Sequence, residues 1–382
     1  MKTKIIRTST IAMSLNLLLK GQLSFLLKHY DVIAVSGYDD DLELVKNREK
    51  VAVKDIKMER QIAPFQDLIS LYKLYKFFKK EKPTIVHSIT PKAGLLTMMA
   101  AKYAGVPLRI HTFTGLIFPS KKGFFQKLLI AMDKVLCWHA THIFPEGNGV
   151  KQDLEKYKIT SKPLKIIANG NVNGIDVDYF NVENVTIEEK QKLKNELNIL
   201  SEDFVFIFVG RLVGDKGINE LVRAFSKLQT PNSKLLLVGP LENNLDPLLP
   251  ETLKEINYNP NIISVGYQTD VRKYYAISNV LVFPSYREGF PNVVLQAGAM
   301  QLPSIVTNIN GSNEIIKHNK NGLIIPVQNS DAIFVAMLTI MNQVDINDMK
   351  KQARIMIENR YKQELVWEAL LKEYKELEKS VL

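Results

Sequence analysis

The sequence predicts an α/β protein built as two facing Rossmann-like, doubly wound domains with a cleft between them. Three observations predict it. The chain is 382 residues long, more than one ordinary core accommodates and enough for two. Short apolar runs alternate with amphipathic stretches, the pattern of parallel strands joined by crossover helices. Turn-forming Gly, Asn and Pro residues separate those segments in both halves.

In the N-terminal half the apolar runs place strands at 5–8, 31–36, 51–53, 85–88, 108–113 and 143–145, with long helices over 66–80 and 92–104. The segment ANGNVNGID (168–176) is rich in turn formers and marks the junction. Beyond it the pattern is cleaner, with strands at 204–210, 235–239, 262–266, 280–284, 304–307 and 323–325. Helical periods fill the gaps at 218–228, 271–277, 292–300 and 331–341. The expected division is therefore 1–175 for the first domain, 176–364 for the second, and a charged closing helix within 365–382 that packs across both lobes. In doubly wound sheets, ligands gather at the carboxyl ends of the strands.

A composition of 46% hydrophobic and 24% charged residues is that of a globular chain, which sets aside disorder and membrane-spanning architectures. The single cysteine, Cys137, leaves no disulfide framework or thiolate zinc site and suggests a cytosolic address. The N-terminus has basic residues before apolar ones, but Thr, Ser and Asn interrupt the run, so a signal peptide is not expected. Charge is uneven. Residues 1–175 hold 28 Lys and Arg against 14 Asp and Glu, a surplus of 14, whereas the remainder holds 22 against 26. Lysines stand beside aromatics in LYKLYKFFKKEKP (71–83) and PSKKGFFQKLL (119–129), which suits an anionic membrane surface, the other reading being a solvated lysine-rich helix face. No nucleic-acid motif accompanies the charge, so nucleic acid is not an expected partner.

Two segments carry chemistry. After the strand FVFIFVG come Arg211 and then Lys216-Gly217 at a helix entrance. A guanidinium fork and a mobile ammonium together neutralise a diphosphate, although one such Arg alone is as readily a surface ion-pair partner. After the strand VLVFP, the loop of Glu288 and Gly289 leads to a helix opening near Pro291. Exposed amides at such an N-terminus suit an anion, and Glu288 either accepts hydrogen bonds from sugar hydroxyls or caps the helix. Gln296, two turns on, is placed to reach a ribose. His139 and His142 in HATH lack zinc-ligand spacing, so no metal site is expected. No GxGxxG follows a strand, which counts against a nicotinamide enzyme.

The segments GRLVGDKG (210–217), LLLVG (235–239), VGYQTDVRKYYAISNVLVFPSYREGFPNVVLQAGAMQLPSIVTNINGSNEII (265–316) and NGLIIP (321–326) together resemble the retaining GT-B glycosyltransferases of glycosyltransferase family 4. The resemblance runs through nearly the whole chain. It implies that Arg211 and Lys216 hold the donor pyrophosphate and that Glu288 contacts the donor sugar. Gly210 lies beside them, and Gly289, Phe290, Pro291 and Asn292 form a backbone cradle. The family's second glutamate is here Gln296, whose amide binds ribose hydroxyls without a carboxylate's charge. A family histidine near the donor sugar is replaced by Thr114, leaving His111 as a compensating group or a buried core histidine.

HSITPKAGLL (87–96), HTFTGL (111–116) and NGNVNGID (169–176) resemble the subset that builds capsule, O-antigen or protein-linked glycans on polyprenyl diphosphate carriers. That subset implies a lipid-linked acceptor, with Gly21, His87 and Lys92 as further acceptor-side candidates, and a cytoplasmic enzyme at the inner face of the plasma membrane. The expected reaction moves a hexose or N-acetylhexosamine from a UDP-sugar with retention and without a metal cofactor. A UDP-sugar 2-epimerase of the same fold and a noncatalytic nucleotide-sugar- or membrane-binding partner of another transferase are the rival readings.

Overall fold

The computed structural model describes residues 2–381 except 243, 245, 343 and 344. Two compact units emerge. One runs to Gly174 and resumes at Gln363; the other spans Ile175–Lys362.

The first unit holds a six-stranded sheet of β1 (Lys4–Thr8), β2 (Asp31–Ser36), β3 (Ala52–Asp55), β4 (Ile85–Ser88), β5 (Leu108–Phe113) and β6 (His142–Pro145). Every pairing is parallel, in the order β3-β2-β1-β4-β5-β6. The central strands are buried along almost their whole length, as a parallel sheet covered on both faces requires. The edge strand β3 is mostly exposed and carries Lys54 and Asp55, which discourages further pairing.

The crossover helices begin where the sequence gives them a start. Asp39 caps helix Asp40–Glu49 by accepting from the Leu42 amide, and Pro64 and Pro91 open helices Pro64–Glu81 and Pro91–Ala104. The last of these stops at Gly105 in the left-handed conformation.

The second unit repeats the arrangement with β7 (Phe204–Val209), β8 (Ser233–Val238), β9 (Ile262–Ser264), β10 (Val280–Phe283), β11 (Ser304–Thr307) and β12 (Gly322–Ile325). Its order is β12-β11-β10-β7-β8-β9, again parallel throughout. Counted from its own first strand, this is the same order as in the first unit. In each sheet the connections reverse direction beside the first strand, so the loops after β1 and β4, and after β7 and β10, define the two switch points where a ligand crevice opens.

The closing helix, Gln363–Glu378, belongs to the first unit. Its buried face explains the assignment. Leu370 and Tyr374 pack with Ile5, Val32 and Ile85. The Tyr374 hydroxyl accepts from Arg7 Nη1 at 3.0 Å, and Tyr30 donates to Glu378 Oε2 at 2.7 Å.

Candidate functional site

In the second unit, β7 and β10 are neighbours, with Phe206 opposite Val280 and Ile207 opposite Leu281. The loops leaving their carboxyl ends therefore meet. After β7 come Gly210 and Arg211, then a 3-10 turn over Gly214–Lys216, then helix Ile218–Ser226. Gly217 joins turn to helix at φ +73, and a Cβ there would stand 2.3 Å from the Pro284 carbonyl oxygen, so only glycine lets the two loops lie this close.

The contact brings two sequence candidates together directly. Lys216 Nζ donates to Glu288 Oε1, and Ser285 Oγ donates to the same oxygen at 2.8 Å. Both charged side chains are largely buried, 17% and 18% exposed, which strengthens their attraction relative to a surface pair. Glu288 Oε2 receives no hydrogen bond among the described residues. The Ser285 backbone is held in turn by Thr307 Oγ1, the Tyr286 amide donates to the Asp215 carbonyl at 2.9 Å, and Arg287 pairs with Asp215 at 3.0 Å. Arg211 is more exposed and its Nη1 pairs with Glu242 at 2.9 Å. Such a solvent-screened pair is readily exchanged for a more highly charged anion.

Helix Asn292–Ala299 starts where expected, with Pro291 as its N-cap in an extended conformation rather than in its first turn. The Phe290 ring is in the core, 5.4 Å from the Tyr361 ring, so its side chain takes no part in the open face of the loop. Among the described residues the amides of Gly289 and Phe290 have no hydrogen-bond partner, leaving donors just ahead of the helix. Gly311 pins this loop: at φ +74, its missing Cβ would lie 2.5 Å from the Gly289 carbonyl oxygen. Gln296 is half-buried, with Oε1 3.5 Å from the Tyr275 hydroxyl.

The first unit treats its candidates differently. His87 is the penultimate residue of β4 and lines a small pocket with Arg7, Thr112 and Glu146. It is fully buried, with Nδ1 2.5 Å from the Tyr374 hydroxyl and Nε2 2.7 Å from Thr112 Oγ1. Burial, and then the charge of Arg7, push its pKa well below the ordinary range, so it is neutral at physiological pH. His111 is likewise buried in β5, with Nδ1 2.8 Å from Ser88 Oγ, and burial lowers its pKa to about 3.

Lys92 is no free phosphate ligand. Its ammonium donates to both Asp67 oxygens, at 2.8 and 2.7 Å, and to the Gln61 carbonyl, tying the 61–67 segment to helix Pro91–Ala104. Gly21 caps the short helix Gln22–Leu27, one helix beyond β1, and its amide donates to Glu49. Thr114 follows β5 directly, with a long 3.4 Å contact to the Ile89 carbonyl.

The residues that do occupy this unit's switch point are Thr10 and Thr90, whose hydroxyls lie 2.7 Å apart. The sequence signal for them was their position after β1 and β4. Among the described residues no group of three or more His, Cys, Asp and Glu side chains is arranged to hold a metal ion.

Comparison with known proteins adds a second line. The family description "Glycosyl transferases group 1" matches residues 189–363, and "Glycosyl transferase 4-like" matches residues 11–146. The chain is 34% identical to the capsular polysaccharide biosynthesis glycosyltransferase of Staphylococcus aureus, covering 96% of this chain and 95% of that protein. It is 30% identical to the UDP-Gal:alpha-D-GlcNAc-diphosphoundecaprenol alpha-1,3-galactosyltransferase of Escherichia coli, covering 79% and 78%. In fold it is similar to an Anabaena protein crystallised with UDP, at TM-score 0.82 and 15% identity over 98% of this chain and 100% of that one.

Proposed function

The chain belongs to the GT-B glycosyltransferases of family 4, and from that premise we propose that it transfers a hexose or N-acetylhexosamine from a UDP-sugar, with retention, to a polyprenyl-diphosphate-linked glycan. The capsular and diphosphoundecaprenol relatives support the acceptor class and a role in bacterial surface polysaccharide assembly. The UDP-Gal named for the Escherichia coli relative supports the donor.

The observation that carries the reading is the joining of Lys216 and Glu288 by the adjacent ends of β7 and β10. As the bond from the anomeric carbon to the diphosphate breaks, negative charge collects on the departing β-phosphate and positive charge on the sugar ring. Lys216, Arg211 and the free amides of Gly289 and Phe290 stabilise the first; the open Glu288 oxygen takes hydrogen bonds from the sugar. The acceptor oxygen bonds to the anomeric carbon, and its proton passes to the departing phosphate oxygen, giving glycoside and UDP. Catalysis is then mainly fixed electrostatics and orientation, and charge on the diphosphate is met by side chains rather than by a metal.

A thermal-shift screen against UDP-, GDP- and ADP-sugars tests the donor, since a ligand of the folded state raises the melting temperature. A UDP-sugar should stabilise the wild type and stabilise Arg211→Ala less. Stabilisation by GDP- or ADP-sugars alone would overturn the assignment. NMR of the product linkage tests retention, and an inverted anomeric centre would refute it.

A further inference from the structure

Two pockets in the first unit share a wall. One is the more polar of the two and lies past the ends of β1, β2 and β3, where Thr10, Tyr38, Asp55 and Lys57 line it. The other is apolar and open at its mouth, and is lined by Leu95, Phe113, Leu116, Ile117, Leu129 and Met132. The 60–62 segment borders both. Lys92 fixes that segment through the Gln61 carbonyl and Asp67, so the wall is braced from within.

At the shared edge stands Arg60, exposed and without an ion-pair or hydrogen-bond partner among the described residues. Ile62 and Ile117, 46% and 42% exposed, extend the apolar lining toward solvent. Hydrocarbon on one side, a free guanidinium at the boundary and a polar pocket beyond match an amphiphile with an anionic hinge.

Resting on the reading of a lipid-linked acceptor, we infer that the apolar pocket receives the first isoprene units of a polyprenyl diphosphate, that Arg60 holds its diphosphate, and that the polar pocket receives the attached sugar. Branched hydrocarbon suits a cavity walled by aliphatic and aromatic side chains, and a diphosphate suits a planar cation with no partner of its own. Asp133 also lines the apolar pocket. Burial raises its carboxyl pKa to about 7, consistent with surroundings poor in water.

The test uses the full chain with UDP saturating the donor site. Farnesyl diphosphate, titrated calorimetrically, should bind the wild type, and bind Arg60→Glu and Ile117→Asn at least tenfold more weakly. Inorganic pyrophosphate should bind weakly to all three. In transfer assays, the wild-type preference for a prenyl over a hexyl diphosphate-linked acceptor should fall about tenfold in Ile62→Asn and Ile117→Asn, two exposed positions where polar side chains leave the core intact. Arg60→Glu should raise KM for both acceptors.

Equal farnesyl diphosphate affinity in all variants, or an unchanged chain preference, overturns the pocket assignment while leaving the transferase reading in place. Should the wild type transfer to no lipid-linked acceptor yet bind farnesyl diphosphate through Arg60, the acceptor reading falls and the prenyl diphosphate site stands.

Discussion

Glu288 spends one oxygen on Lys216 and Ser285 and keeps the other open, which lets it hold a cation and a sugar hydroxyl at once. Gln296 has a different constraint: its carbonyl oxygen is already within 3.5 Å of the Tyr275 hydroxyl, and in the proposed donor complex it would meet the ribose as a neutral acceptor. A carboxylate there would strengthen the same contacts by about 1 kcal/mol. Gln296→Glu should therefore tighten UDP binding by roughly fivefold in calorimetry, and unchanged or weaker binding would remove Gln296 from the ribose site. The placement of Arg211, Lys216 and Glu288 beyond strand ends was legible in the sequence because each follows an unmistakable strand. Ser285, Asp215 and Gly311 were not singled out, because their work is to hold loops together through contacts that linear spacing does not display. Of the histidines, His111 is buried, in keeping with the core reading, while the partners of His87 were not legible because Tyr374, which bonds it, lies 287 residues away.

At the scale of elements, strands read cleanly because parallel strands buried on both faces are apolar runs, and their edges shift by at most two residues. The closing helix was legible as a helix but its home was not, since a charged amphipathic period does not say which sheet its buried face covers. Helix Gly123–His139 carries a testable consequence of its own. Asp133 sits on it with a carboxyl pKa raised by burial from 3.8 to about 7. The folded state therefore binds that proton more tightly than the unfolded chain does. The stability it contributes is full below about pH 4 and is lost as pH rises through about 7. Asp133→Asn, which does not titrate, should gain melting temperature relative to wild type from pH 5 to pH 8. A difference that is flat across this range, or that shrinks with rising pH, would contradict the burial of this carboxyl.

For the whole molecule, two sheets with one strand order give two switch points, and the chemistry legible in sequence falls at one of them. The other is lined by threonines, and the helices that start on its side of the sheet, after β3 and β5, open with the exposed aromatics Phe65 and Phe124, 72% and 82% exposed. No helix among the described residues is long and apolar enough to cross a membrane. With the positive surplus confined to residues 1–175, binding to vesicles containing anionic phospholipid should be strong at low salt and weaken several-fold at high salt. Equal binding to neutral vesicles would leave the aromatics, not the charge, as the cause.

The central claim, that Lys216 and its partners grip the donor of a lipid-linked glycan transferase, meets its most direct test in one assay. Wild type and Lys216→Ala are incubated with labelled UDP-sugar and a polyprenyl-diphosphate-linked glycan, and label is counted in the extracted lipid. The wild type should transfer label, and Lys216→Ala should do so two to three orders of magnitude more slowly, about the loss expected for one transition-state charge contact, while melting cooperatively like the wild type. Equal rates in the two proteins, or no label in lipid from the wild type with any UDP-sugar, would contradict it.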